Sequence, residues 1–108
     1  MHSGSAVVET ASSDEELLVA IGRRQDQEAF NALYRRHEKR LFKLALSLVR
    51  DAQEAQDVFQ RTLLRIWSGC QYYRPHATSS TFSYLAQILV NEARKNLRHR
   101  QRLRLRAK

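Results

Sequence analysis

Residues 51–67 read DAQEAQDVFQRTLLRIW, and this stretch decides the fold because two independent helix signals coincide in it. Asp51 and Glu54 have the spacing of a capping box, which predicts a helix start. The apolar side chains after them recur every three or four residues, so a helix running to about Ser68 would gather them on one face. That face would contain Ala55, Val58, Phe59, Thr62, Leu63 and Ile66.

The opposite face of this predicted helix mixes polar groups with a large aromatic side chain. Its members, again at helical spacing, are Asp57, Gln60, Arg61, Leu64 and Trp67. Such a mixture is typical of a surface that binds another protein. The pattern leaves one alternative open, in which Trp67 closes the end of the core instead.

Two more helices are predicted before this stretch. Ser13 and Glu16 also have capping-box spacing, so a short helix should cover about Asp14–Arg24. It would bury Leu17, Leu18 and Ile21. A longer helix over about residues 26–49 would bury one stripe, formed by Phe30, Leu33, Tyr34, Leu41, Leu44, Ala45 and Leu48. His37 lies on that stripe, and we expect a packed or partly exposed histidine because no metal-binding residue stands four positions later.

The helical period fails over residues 69–80, where Pro75 and the run ATSS at 77–80 are typical of loops. This loop is longer than a connection between bundled helices usually needs, which favours a functional role for it. A last helix, with a serine as its N-cap, should run from about residue 80 at least to Arg98. Its buried stripe would contain Phe82, Leu85, Ala86, Leu89, Ala93 and Leu97.

The sequence therefore predicts an all-α fold, a compact bundle of about four helices with one short N-terminal helix and three longer ones. Residues 13–100 would form this domain. Residues 1–12 are small and polar without a period, so we expect a disordered leader. Residues 101–108 would be a basic tail or the start of an interdomain linker.

Composition limits the function classes. The chain is 43% hydrophobic and 28% charged, which is typical of a globular domain. No apolar run approaches the ~20 residues that cross a bilayer, so we expect a cytoplasmic protein without membrane insertion. The single cysteine, Cys70, cannot form an intramolecular disulfide or a two-cysteine metal site. No catalytic motif or glycine-rich phosphate loop is present, so we expect neither an enzyme nor a cofactor.

The net charge of +8 is concentrated at one end of the chain. Residues 1–90 contain 11 basic and 10 acidic side chains, whereas residues 91–108 contain eight basic and one acidic. Such a block favours binding to a nucleic acid or another polyanion, with a merely solubilising tail as the alternative. Beyond Arg98 the arginines occupy alternate positions, which would scatter their charge around a helix, and we expect this end to fray.

The exposed face of the last helix combines amides with cations, which suits contacts to base edges and phosphates. It would consist of Tyr84, Gln87, Asn91, Arg94, Lys95 and Arg98. The loop before it interleaves aromatic, cationic and hydroxyl side chains, which suit an unstacked base better than a duplex groove. Its candidate residues are Tyr73, Arg74, His76, Ser79 and Ser80.

Several spaced residues also carry a family resemblance over about residues 14–102. They are the pair DA at 51–52, Ala55, the run DVFQRTLLRIW at 57–67, the pattern YLxxI at 84–88, Asn91, and the pair LR at 97–98. This set resembles domain 2 of the bacterial extracytoplasmic-function (ECF, group 4) sigma factors. The resemblance implies a helical domain that binds the β′ clamp helices of RNA polymerase core. It also implies recognition and melting of the promoter −10 element, which starts transcription.

The resemblance assigns roles to the candidate residues. Asp57, Gln60, Arg61, Leu64 and Trp67 fall on the helix that binds β′. Tyr73 to Ser80 match the segment that captures a flipped base of the nontemplate strand. Asn91, Arg94, Lys95 and Arg98 match the face that contacts the −10 region. Two positions depart from the family pattern, since Arg61 stands where Glu is frequent and Lys95 where Asp is common.

An anti-sigma factor that covers these surfaces is a further partner that the resemblance implies. Two other functions stay open on the residues alone. One is a stand-alone basic helical module that binds nucleic acid through its C-terminal end. The other is a helical adaptor that sequesters a protein through the face of Trp67.

Overall fold

Helix boundaries follow the capping and turn chemistry of the sequence. The computed structural model describes residues 12–69 and 80–107, which form four α-helices and no strand. The helices are α1 (Asp14–Arg24), α2 (Gln27–Val49), α3 (Ala52–Gly69) and α4 (Thr81–Ala107). The prediction of an all-α bundle with one short and three longer helices is confirmed.

Side-chain caps fix the starts of the first two helices. The capping box of α1 is complete, because Ser13 Oγ accepts a hydrogen bond from Glu16 N (3.1 Å) and Glu16 Oε1 accepts one from Ser13 N (2.7 Å). At α2, Asp26 Oδ1 accepts from Ala29 N (3.1 Å). These bonds satisfy amide groups that the first turn of a helix leaves without intrahelical partners.

Two left-handed residues turn the chain between consecutive helices. Gln25 ends α1 with φ 49° and Arg50 ends α2 with φ 57°. Each donates its backbone N–H to a carbonyl four residues earlier, on Ile21 and Leu46 respectively, at 2.8 Å. An aspartate cap follows directly in both cases, so each connection needs only two residues.

The core draws on all four helices. Its larger members are Leu17, Leu18, Ile21, Leu33, Leu41, Val49, Val58, Phe59, Ile66, Leu85 and Leu89. These residues belong to the stripes that the helical period predicts, apart from Val49. Phe30, Tyr34, Leu63, Phe82 and Leu97 are only partly buried and pack around the rim of the core.

His37 is buried and anchors α1 to α2. Its Nε2 lies 2.8 Å from Asp14 Oδ2, and the other carboxylate oxygen of Asp14 accepts a hydrogen bond from Arg36 Nη1 at 3.0 Å. The histidine ring also lies beside Phe82, with 5.9 Å between ring centroids. The prediction of a packed histidine is therefore confirmed.

Residues 101–107 do not fray as predicted. They continue α4 without interruption to Ala107, and every one of them is exposed. Arginine, leucine, glutamine and alanine are good helix formers, and cations are favourable near a helix C-terminus because of the helix dipole. The helix thus crosses the predicted boundary at residue 100, and a role of 101–108 as a linker stays a prediction.

Within the part of the chain that the structure describes, none of the helices combines the length and the apolar character that crossing a membrane requires. Likewise, residues 12–69 and 80–107 contain no group of three His, Cys, Asp or Glu side chains that could hold a metal ion. Apart from Ser12, the predicted leader lies outside the described residues.

Candidate functional site

The outer face of α3 presents three exposed side chains in one stripe. Asp57, Gln60 and Leu64 are spaced three and four residues apart, so they stand one above another on the helix. Leu64 is 68% exposed, which makes it the most exposed large apolar side chain of the described chain. We call these three residues the α3 stripe. It combines an acid, an amide and an apolar group, as the sequence predicts.

Trp67 lies one turn further along α3 but has a packing role. It is partly buried, and its ring meets Phe30 of α2 edge to face, with 5.3 Å between centroids and 83° between ring planes. This geometry is the favourable one for two aromatic rings. The structure thus supports the alternative in which Trp67 closes one end of the core.

Arg61 points from α3 toward α4. Its Nη2 donates a hydrogen bond to Asn96 Oδ1 at 3.0 Å, and its Nε lies 3.9 Å from Glu92 Oε1. Arg61 therefore lies between the two helices rather than in the α3 stripe.

Glu92 is a buried acid that the sequence analysis missed. Its side chain is 6% exposed, and its Oε2 lies 3.2 Å from both Arg65 Nε and Lys95 Nζ. One signal could have found it, since it is the single acid in residues 91–108 and directly precedes a residue of the predicted buried stripe, Ala93. A buried carboxylate requires charged partners, and three cations supply them here.

Glu54 joins the start of α3 to α4. Its Oε1 accepts hydrogen bonds from Asn96 Nδ2 (2.7 Å) and from Arg100 Nε and Nη2 (3.0 and 2.6 Å). The predicted capping box is therefore only half formed, because Glu54 N donates to Asp51 Oδ1 (2.9 Å) while the Glu54 carboxylate faces α4. The hydrogen bond from Arg100 is the largest cause that lowers the pKa of Glu54, with Asn96 adding to it and partial burial opposing it.

Arg100 thus belongs to the body of the domain. Besides Glu54, it contacts the last turn of α2, where its Nη2 donates to the carbonyl of Val49 at 2.8 Å. That carbonyl has no partner within the helix, so Arg100 acts as a cap from a distant part of the chain.

The outer face of α4 carries the predicted amides and cations. Asn91, Arg94, Lys95 and Arg98 are all exposed, and we call them the α4 stripe. Gln87 precedes them and donates from Nε2 to Asn91 Oδ1 at 3.2 Å. Tyr84, one turn earlier, is partly buried.

Ser80 is the N-cap of α4, as predicted. Its Oγ accepts a hydrogen bond from Ser83 N at 3.1 Å and lies 2.9 Å from Ser83 Oγ. The other candidate loop residues, Tyr73, Arg74, His76 and Ser79, lie outside the described residues, as does Cys70.

These surfaces lie within a recognised family segment. A family model described as sigma-70 region 2 matches residues 33–103, about two thirds of the chain. The chain belongs to the sigma-70 region 2 family. The matched segment contains all of α3 and most of α2 and α4, so both stripes fall inside it.

Curated relatives agree with this family. The chain is 30% identical over 88 residues to the RNA polymerase sigma-H factor of Pseudomonas aeruginosa, covering 82% of the chain and 44% of the relative. It is 38% identical over 88 residues to the ECF RNA polymerase sigma factor SigM of Mycobacterium tuberculosis, covering 80% of the chain and 42% of the relative. The chain thus spans less than half the length of these relatives. No solved structure matches it.

The resemblance to ECF sigma factors is confirmed by these matches. They also agree with the prediction that the chain is not an enzyme, since the relatives are named as sigma factors.

Proposed function

We propose that this chain binds RNA polymerase core through the β′ clamp helices and recognises and melts the promoter −10 element. The α3 stripe would contact β′, and Trp67 would support that surface from the side. The α4 stripe and the segment of Tyr73, Arg74, His76 and Ser79 would bind the nontemplate strand. An anti-sigma factor that covers the same surfaces is a further proposed partner.

The observation that carries the proposal is the exposure of the α3 stripe within a region 2 segment. A leucine that is 68% exposed on a folded helix gains from burial against a partner, by roughly 1.5–3 kcal/mol for a fully buried side chain. Asp57 and Gln60 beside it can fix the orientation through hydrogen bonds. A polycation module alone would not need such a face.

The α4 stripe supports the nucleic-acid part of the proposal. Its three cations are exposed, so they can neutralise phosphates, and Asn91 offers an amide that can contact a base edge. Melting requires that the unpaired strand binds better than the duplex, so we expect preference for single-stranded nontemplate −10 DNA.

The experiment that tests polymerase binding is capture of the chain by an immobilised β′ clamp-helix fragment. We expect Asp57→Ala combined with Leu64→Ala to weaken capture at least tenfold. Both residues are exposed, so the variant should fold normally. The matched control is Glu28→Ala with Leu46→Ala, which removes an exposed acid and an exposed leucine from α2 and should bind like the wild type.

Equal capture of both double variants would contradict the assignment of the α3 stripe. No capture of the wild-type chain would contradict polymerase binding altogether and favour the basic module or the adaptor. The base-binding segment has its own test, in which Tyr73→Ala with His76→Ala should abolish the preference for the single strand. An unchanged preference would remove these residues from the proposed pocket.

A further inference from the structure

Three cations surround one buried carboxylate where α3 packs on α4. Arg61 and Arg65 approach Glu92 from α3, while Lys95 approaches it from the next turn of α4. Arg61 is held further by Asn96, at 3.0 Å. We call Arg61, Arg65 and Lys95 the seam cluster.

The seam cluster carries more positive charge than its acid can balance. Glu92 contributes one negative charge against three cations, so two positive charges remain at this surface. The side chain of Glu92 is 6% exposed, whereas those of Arg61, Arg65 and Lys95 are 49%, 60% and 51% exposed. The acid therefore lies beneath the cations and holds them, while their outer N–H groups face solvent.

These cations have more N–H donors than their contacts with Glu92 and Asn96 use. An arginine has five N–H donors and a lysine three, and the Glu92 contacts involve Nε of Arg65 and one donor of Lys95. The remaining donors can bind a second anion. A phosphate group suits this arrangement because it can accept several charge-assisted hydrogen bonds at once.

The position of the seam cluster connects it to the α4 stripe. Lys95 belongs to both, so Arg61 and Arg65 extend the basic surface of α4 sideways onto α3. They do not belong to the α3 stripe, since Arg61 is directed to Asn96 and Glu92 on α4. Fixed pairing to Glu92 also lowers the entropy that two arginines would lose on binding an anion.

We propose that Arg61, Arg65 and Lys95, positioned by Glu92, bind a backbone phosphate of the promoter DNA strand. The proposal rests on the proposed function, because it assumes that the α4 stripe binds that strand. It moves Arg61 from the polymerase surface to the DNA surface and adds Arg65, which no sequence pattern assigned to DNA. Glu92 is a positioning residue in this site.

The test measures the affinity of the whole chain for a labelled single-stranded oligonucleotide as a function of salt. The variant is Arg61→Gln with Arg65→Gln, because glutamine keeps a donor toward Glu92 but removes the charge. Each phosphate contact to a single strand contributes ~0.7 to the slope of log K against log[salt]. The site binds one phosphate, so loss of that contact in this variant should lower the slope by about 0.7. Arg61→Lys with Arg65→Lys keeps both charges and should retain most of the slope.

Two further variants separate this proposal from the proposed function. Arg23→Gln with Arg24→Gln makes the same change in net charge at exposed positions of α1, so its slope should stay like that of the wild type. Arg94→Gln with Arg98→Gln tests the α4 stripe itself. A reduced slope for the α4 variant together with an unchanged slope for the Arg61/Arg65 variant would overturn the seam site but keep the α4 assignment.

Other outcomes also decide the matter. A wild-type slope in both the Arg61→Gln/Arg65→Gln variant and the Arg94→Gln/Arg98→Gln variant would overturn the seam site and the DNA-binding role of the α4 stripe. The same conclusion would follow if the wild-type chain had no affinity for the oligonucleotide at low salt. Loss of capture by the β′ clamp-helix fragment in the Arg61/Arg65 variant, with its DNA slope unchanged, would assign these arginines to the protein partner instead. Thermal unfolding followed by circular dichroism confirms that each variant is folded.

Discussion

The α3 stripe and the α4 stripe lie on neighbouring helices but are built from different chemistry. The α3 stripe carries one charge and an exposed leucine, whereas the α4 stripe carries three cations and an amide. Burial of apolar surface depends little on salt, while binding of a polyanion falls steeply with it. The difference indicates that one small domain can bind a protein and a nucleic-acid strand at separate faces.

Ion pairs between α3 and α4 fix the positions of the two stripes. Pairs along α3 and α4 run in opposite directions, since Glu54 meets Arg100 and Arg65 meets Glu92. The two helices are therefore antiparallel, and four charged groups fix their relative position. Each stripe is held on a rigid element, which limits the entropy lost when a partner binds.

The largest expected effect comes from neutralising the α4 stripe. Arg94→Gln, Lys95→Gln and Arg98→Gln together should lower affinity for single-stranded DNA on the order of 10²-fold at about 50 mM salt, because three counterion-releasing contacts are lost. Capture by the β′ clamp-helix fragment should change less than twofold. Fluorescence anisotropy measures the first and pull-down the second; a parallel loss of both would erase the distinction between the stripes.

Trp67 and Gln60 test where packing ends and the α3 stripe begins. Trp67→Ala should lower the free energy of unfolding by about 2 kcal/mol, because it removes the edge-to-face contact with Phe30 and leaves a gap at the end of the core. Gln60→Ala is the control, and since this residue is exposed its effect should stay within ~0.5 kcal/mol. Urea unfolding measures both, and equal values would contradict the packing role of Trp67.

Salt should separate the two binding activities of the wild-type chain. Raising the salt from about 50 to about 200 mM should weaken single-stranded DNA binding more than tenfold, whereas clamp-helix binding should weaken less than threefold. The same protein preparation serves for both titrations. Similar salt dependence of the two activities would mean that both partners use the cations.

Glu54 provides the smallest effect and a pH signature. Its folded-state pKa is lowered chiefly by the hydrogen bond from Arg100, so its stabilising contribution is present above its unfolded-state pKa and is lost as the pH falls through the lower folded value. At pH 7, Glu54→Gln should lower the free energy of unfolding by roughly 1 kcal/mol. The difference in the free energy of unfolding between wild type and variant should disappear in acid. A difference that is constant with pH would refute the role of this ion pair.

Local spacing made much of the fold predictable from the sequence. The caps at Ser13 and Asp51 and the apolar period fix the helices and the core, because those features depend on residues within a turn or two. Exposure of the α3 and α4 stripes follows from the same period. The family resemblance, which rests on spaced positions in α3 and α4, was available from the sequence as well.

Contacts between distant residues were not predictable. Arg100 lies 46 positions from Glu54, so no sequence pattern indicated their contact. From the sequence, Arg100 was one more solvated cation of the basic end. Glu92 looked like one more polar residue of α4 until α3 brought Arg61 and Arg65 to it. Charge composition alone could not separate the cations that hold the helices together from those left exposed for a partner.

The separation of the two binding faces is the central claim, and simultaneous binding of both partners tests it directly. The affinity of the wild-type chain for a labelled single-stranded −10 oligonucleotide is measured with and without a saturating β′ clamp-helix fragment. We predict a ternary complex in which the oligonucleotide affinity is retained or increased. Displacement of the oligonucleotide by the fragment would show that both partners share one surface and would contradict the account.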